Sequence, residues 1–87
     1  MRFFLADDDP AVRLMLDQII EDADLGVVVG EADDGIAVDH TLLSLKQVDI
    51  LLIDLLMPQR DGIETVRQLI PDFEGKIIMI SQIESKD

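Results

Sequence analysis

The run Ile50-Leu51-Leu52-Ile53 is uninterruptedly apolar, ends in Asp54 and is followed by Leu55-Leu56-Met57-Pro58. It is too short for a helix and too apolar for a strand with one wet face, so it reads as a strand covered on both sides. Such strands belong to parallel sheets flanked by helices. In open parallel sheets, ligands bind beyond the carboxyl ends of the strands. A carboxylate placed there, at Asp54, is positioned for chemistry rather than for folding.

Three more short apolar runs have the same character: Phe3 to Ala6, Val27 to Val29 and Ile77 to Ile80. Between the strands lie segments with helical spacing. Their apolar positions are Val12, Leu16, Ile19 and Ala23, then Val38, Leu42 and Leu45, then Ile63, Val66 and Ile70. Asp9 is the expected N-cap of the first helix, with Pro10 at the first helical position, where its missing N–H is no loss. Gly26 closes the connection that follows, and Asp34-Gly35 and Asp61-Gly62 supply turn chemistry before the second and third helices. Alternating β and α units with right-handed crossovers predict an α/β fold with a parallel sheet. In the flavodoxin-like order 2-1-3-4, the first and third strands are neighbours, so Asp7 and Asp8 face Asp54 across the carboxyl edge and Ser81 ends the adjacent fourth strand.

With 87 residues, 48% of them hydrophobic and none Cys, Trp or Tyr, the chain has one core to build and no covalent staple for it. The lack of Cys suits a reducing compartment. A formal charge of −12 repels nucleic-acid phosphates, so direct nucleic-acid binding is not expected. The apolar start Phe3 to Ala6 stops at Asp7, too soon for a signal peptide or a membrane span. The expectation is a cytoplasmic protein with no membrane contact.

Carboxylates gathered within about 5 Å repel by roughly 3 kcal/mol per pair at an effective dielectric near 20. A hard divalent cation with oxygen ligands, Mg²⁺ above all, offsets that repulsion; a raised pKa on one carboxyl group is the alternative. A carboxylate beside Mg²⁺ can attack phosphorus, which would turn Asp54 into an acyl phosphate whose oxygens a hydroxyl such as that of Ser81 could bond. Each residue also has a plainer reading. Asp7-Asp8-Asp9 suits a solvated helix start, Asp54 could be a loop residue, Ser81 a strand-end hydroxyl, and His40, with no second His or Cys, a surface residue. The weight lies in their joint placement at strand ends.

Phe3-Phe4-Leu5-Ala6-Asp7-Asp8-Asp9, Ala32-Asp33-Asp34-Gly35, Ile53-Asp54-Leu55-Leu56-Met57-Pro58 with Asp61-Gly62, and Ile77-Ile78-Met79-Ile80-Ser81, in that order and spacing, make the chain resemble the receiver domain of bacterial two-component response regulators. The resemblance implies that Asp54 takes a phosphoryl group from a phosphohistidine on a sensor histidine kinase. It further implies Mg²⁺ held by Asp8, Asp54 and the backbone carbonyl of Leu56, with Asp7 acting through water, and Ser81 as the switch hydroxyl. Such a domain controls an output domain and is not an enzyme beyond catalysing its own phosphorylation.

The family's domain continues through a further helix, a fifth strand ending in a Lys, and a fifth helix. Residues 1–87 are therefore expected to be a receiver domain lacking the rest of the fourth helix, the fifth strand and the fifth helix, and Lys86 stands too near the fourth strand to replace that Lys. An exposed fourth-strand edge would favour a homodimer, so a vestigial receiver acting by self-association is the alternative. A metal-dependent phosphatase of the haloacid-dehalogenase kind also builds on an acidic sheet edge, but its downstream Lys and acidic pair have no match here.

Overall fold

The computed structural model describes residues 1–38, 47–57, 61–69 and 73–80. Strands β1 (Arg2–Ala6), β2 (Val27–Ala32), β3 (Ile50–Asp54) and β4 (Lys76–Ile80) form one sheet of order β2-β1-β3-β4, with every adjacent pair parallel. This is the expected flavodoxin-like order. Helix α1 (Pro10–Asp22) joins β1 to β2, α2 (Gly62–Leu69) lies between β3 and β4, and residues 35–38, the described part of the expected second helix, are helical. Leu42, Leu45, Ile70 and His40 lie outside the described residues.

Side chains alternate across the pleat, and each face of the sheet has its own core. Phe4, Ala6, Leu51 and Ile53 pack on one face with Ala32 and Val38, and half-buried Val66 of α2 and Ile77 of β4 close over them. Phe3 and Leu5 point the other way, onto Ile20 of α1, with Leu16, Val28, Ile50 and Leu52 around them. Phe4, Leu5, Leu51 and Ile53 have no exposed surface. Burial of such side chains stabilises the fold by about 2–3 kcal/mol each, and it fixes the register on which the acidic edge depends.

Helix α1 starts as its sequence dictates. Asp9 has extended backbone angles (φ −95°, ψ 110°), its Oδ1 accepts from the Ala11 N–H at 2.9 Å, and Pro10 opens the helix. Its buried stripe differs from the expected one. Ile20 is buried and Leu16 half-buried, whereas Ile19 is 50% exposed and Ala23 is exposed. Adjacent isoleucines leave the 3.6 period undecided; the half-buried and buried positions Val12, Leu16 and Ile20 follow i+4 spacing, and Leu16 and Ile20 of this row meet Phe3 and Leu5.

Strand β2 runs to Ala32, past the expected end at Val29, because pairing with β1 carries Gly30, Glu31 and Ala32 opposite Phe4, Leu5 and Ala6. The register shifts between Phe3, opposite Val28, and Phe4, opposite Gly30, so Val29 is an extra residue bulged from the ladder. The amino edge is tied by polar contacts: the Arg2 N–H donates to Asp49 Oδ2 at 2.8 Å and Arg2 Nε donates to the Gln47 carbonyl at 2.6 Å.

Helix α1 ends in a Schellman motif, with the Leu25 N–H on the Ile20 carbonyl at 2.9 Å and the Asp24 N–H on the Glu21 carbonyl at 3.1 Å. Asp24 carries the left-handed backbone this requires, φ 54°. Glycine takes that conformation without the Cβ clash, at the expense of unfolded-chain entropy. Asp24→Gly is expected to stabilise the protein by about 0.5–1 kcal/mol, read as a higher urea midpoint at unchanged m value.

Candidate functional site

The parallel pairing of β1 with β3 sets Ala6 opposite Ile53, so the next residue of each strand, Asp7 and Asp54, emerges at the same carboxyl edge. The Asp7 N–H still belongs to the ladder and donates to the Ala32 carbonyl of β2 at 3.0 Å. Asp7, Asp8 and Asp54 each bring a carboxylate oxygen to within 4.8 Å of the others. Asp7 and Asp54 are buried, 2% and 7% exposed, and Asp8 is open to solvent. The three residues singled out in the sequence are thus one cluster.

Each carboxylate is held differently. Asp7 Oδ1 accepts from the Asp9 N–H at 2.9 Å, while Asp7 Oδ2 is buried and meets no hydrogen-bond donor among the described residues. Asp54 Oδ1 accepts from the Leu56 N–H at 3.3 Å. The segment after β3 is fastened on two sides, by the Leu55 N–H on the Ile80 carbonyl at 3.1 Å and by the Gly62 N–H on the Leu55 carbonyl at 2.9 Å. Leu56 projects into solvent, 78% exposed, which leaves its backbone as the part that can serve the site. Ser81 lies outside the described residues.

Burial raises the Asp7 pKa above its ordinary value of 3.8, and the charges of Asp54, Asp8 and Asp9 push the same way against the lowering effect of the Asp9 N–H. A buried acid oxygen without a donor, in an all-oxygen cluster of like charges, is what a hard cation satisfies. The residues present fit Mg²⁺ on that ground.

Two residues gain importance that their sequence context did not show. Gly62 was expected only to make a turn before α2, and Asp61 does cap that helix, accepting from the Glu64 N–H at 2.9 Å. Yet a Cβ on Gly62 would lie 2.2 Å from the Asp54 carbonyl oxygen and 2.9 Å from Leu55 Cα, so glycine is needed for α2 to start against the backbone of the acidic strand end. Arg13 was not singled out. Its Nε donates to Glu31 Oε1 at 2.9 Å and its Nη1 donates to the Asp7 carbonyl at 2.5 Å. The available signal was a lone base in the first turn of a helix, where the dipole disfavours positive charge.

An acidic carboxyl edge on a flavodoxin-like sheet places this chain among proteins whose strand ends can support divalent-metal and phosphoryl chemistry. Residues 3–87 match the model of the response regulator receiver domain, and the chain belongs to that family. It is 66% identical over all 87 residues to the transcriptional regulatory protein GlnL of Bacillus subtilis, of which it spans 28%. It is 33% identical over 82 residues, 93% of this chain and 67% of the relative, to the chemotaxis protein CheY of Listeria monocytogenes. Among solved structures, the isolated receiver domain of RcsB from Salmonella enterica serovar Typhimurium, in the presence of phosphomimetic BeF3-, superposes with a TM-score of 0.85 at 29% identity, covering 98% of this chain and 64% of that one. The response regulator domain of Thermotoga maritima CheB gives 0.85 at 31% identity, covering 93% and 60%. The chain is a receiver domain of two-component signalling, with a regulatory role.

Two outcomes test this geometry. Because the raised Asp7 pKa makes the folded state bind the proton more tightly than the unfolded state, this group favours folding below 3.8 and loses that contribution as pH rises through its folded pKa. Asp7→Asn is therefore expected to raise the metal-free melting temperature at pH 7, with the gain shrinking as the pH is lowered toward 3.8. Gly62→Ala, which must displace backbone, is expected to destabilise by about 2–3 kcal/mol in urea unfolding.

Proposed function

We propose that Asp54 is the phosphoacceptor, and that Asp8, Asp54 and the backbone carbonyl of Leu56 hold Mg²⁺ with Asp7 acting through a bound water. The observation that carries this reading is the convergence of three carboxylates within 4.8 Å, with the buried Asp7 Oδ2 lacking a donor among the described residues. Asp8, exposed at the rim, suits direct ligation, and Asp7, sunk at the strand end and tied to the Asp9 N–H, suits an indirect role. When bound, Mg²⁺ neutralises charge on the incoming phosphoryl oxygens.

A carboxylate oxygen of Asp54 forms the new bond to phosphorus while the P–N bond of a kinase phosphohistidine breaks, its electron pair returning to the imidazole. The Leu56 N–H steadies the other oxygen. Ser81 is assigned the switch role, its hydroxyl bonding the new phosphoryl group. The chemistry of this chain ends at its own phosphorylation.

The donor is a sensor histidine kinase, and the recipient of the signal is an output domain in a longer protein; the chain spans 28% of GlnL and 24% of a protein-glutamate methylesterase relative from Myxococcus xanthus. We place its action in the cytoplasm, with no direct contact between this chain and membrane or nucleic acid. Among the described residues no helix is long and apolar enough to cross a membrane, and the charge of −12 opposes phosphate backbones. Retention of all three carboxylates disfavours a vestigial module acting by self-association.

Incubation with acetyl phosphate and Mg²⁺ is expected to add the mass of one phosphoryl group to the intact protein, and Asp54→Ala to abolish the addition. Equal labelling of Asp54→Ala, or no labelling of the wild type, would overturn the assignment.

A further inference from the structure

We propose that Arg13 is a positioning residue for the acidic site: bridging Glu31 and the Asp7 carbonyl, it sets the peptide plane that carries Asp8 into the carboxylate cluster. The inference rests on the metal-site reading given above. Arg13 is the only basic residue of α1 and sits in its first turn, near the positive end of the helix dipole, a poor place for a cation on helix grounds alone. Its side chain is only 20% exposed, so the guanidinium is committed to the partners it has.

Those partners lie in two directions. Nε meets Glu31 Oε1 on β2 at 2.9 Å, and Nη1 meets the Asp7 carbonyl at 2.5 Å. The planar fork of arginine can satisfy both at once, which a lysine ammonium on a flexible stem does not reproduce. Asp7 is therefore gripped on either side of its Cα: its N–H by the Ala32 carbonyl at 3.0 Å, its C=O by Arg13.

The Asp7 carbonyl and the Asp8 N–H belong to one rigid peptide plane, so a donor that fixes the oxygen fixes the direction in which Asp8 leaves the strand. Asp8 needs this. Its exposed side chain makes no hydrogen bond to any described residue, yet its oxygen lies within 4.8 Å of those of Asp7 and Asp54. Its place in the cluster is set by backbone alone.

Charge and geometry predict opposite signs for the loss of Arg13. Removing a positive charge beside three carboxylates strengthens cation binding by Coulomb attraction alone. Releasing Asp8 weakens it, and Mg²⁺, which demands near-ideal octahedral geometry, suffers more than Ca²⁺, which tolerates irregular sites.

The test is calorimetric titration of Mg²⁺ and of Ca²⁺ into wild type, Asp8→Asn, Arg13→Gln and Arg13→Lys, at a temperature where circular dichroism shows each folded. Arg13→Gln is expected to bind Mg²⁺ about tenfold more weakly, as for loss of other groups that orient metal ligands, with a smaller loss for Ca²⁺. Arg13→Lys keeps the charge and is expected to lose about threefold for Mg²⁺, between wild type and the glutamine variant; if the glutamine variant does not fold, this variant decides. Mg²⁺ affinity that is unchanged or increased in the Arg13 variants, or equal losses for both cations, overturns the proposal. Wild-type affinity in Asp8→Asn is a separate failure, since it removes the metal-site reading on which Arg13 acts.

Discussion

Parallel pairing of β1 with β3 is the constraint on which the rest depends. It is driven by burial of Phe4, Leu5, Leu51 and Ile53, none of which retains exposed surface. Once Ala6 stands opposite Ile53, the residues that follow must emerge side by side, and in this chain they are both aspartates. The hydrophobic core thus does electrostatic work, holding together charges that would separate in water. The fold tolerates the repulsion because the apolar contacts that impose it lie one residue away and cannot relax without exposing the core.

The surroundings of the cluster moderate that repulsion with fixed dipoles. Asp7 takes the Asp9 N–H, Asp54 takes the Leu56 N–H, and the segment after β3 is pinned between Ile80 and Gly62. One oxygen of Asp7 is left without a donor among the described residues. A site completed by protein donors alone would have no use for a cation, and incomplete satisfaction among the described residues is the condition under which an acidic edge fits one.

Much of this was legible in the sequence because the fold rests on patterns that propagate along the chain. Uniformly apolar runs gave the parallel sheet, and the Asp9-Pro10 pair gave the start of α1. Asp7, Asp8 and Asp54 were legible as a cluster once the strand order placed β1 beside β3. What the sequence could not show depends on contacts between distant segments. Ile19 and Ile20 are equally apolar, and only the sheet beneath the helix selects Ile20. Gly30 and Glu31 read as a strand end until β1 pairs with them. Gly62 reads as an ordinary turn residue because its steric demand comes from Asp54, and Arg13 as an ordinary helix residue because Glu31 and the Asp7 carbonyl lie on other elements.

The bulge at Val29 bears on what the outer edge of β2 offers to another strand. Strand β2 is an outer strand, and an outer strand with an even row of unpaired backbone groups is a template on which another chain can add. The extra residue breaks that row midway, between Val28 and Gly30, so an incoming strand could match one half of β2 and would fall out of step with the other. On the β2 side of the sheet, the lateral edge is thereby a poorer template for strand addition than an even ladder would be.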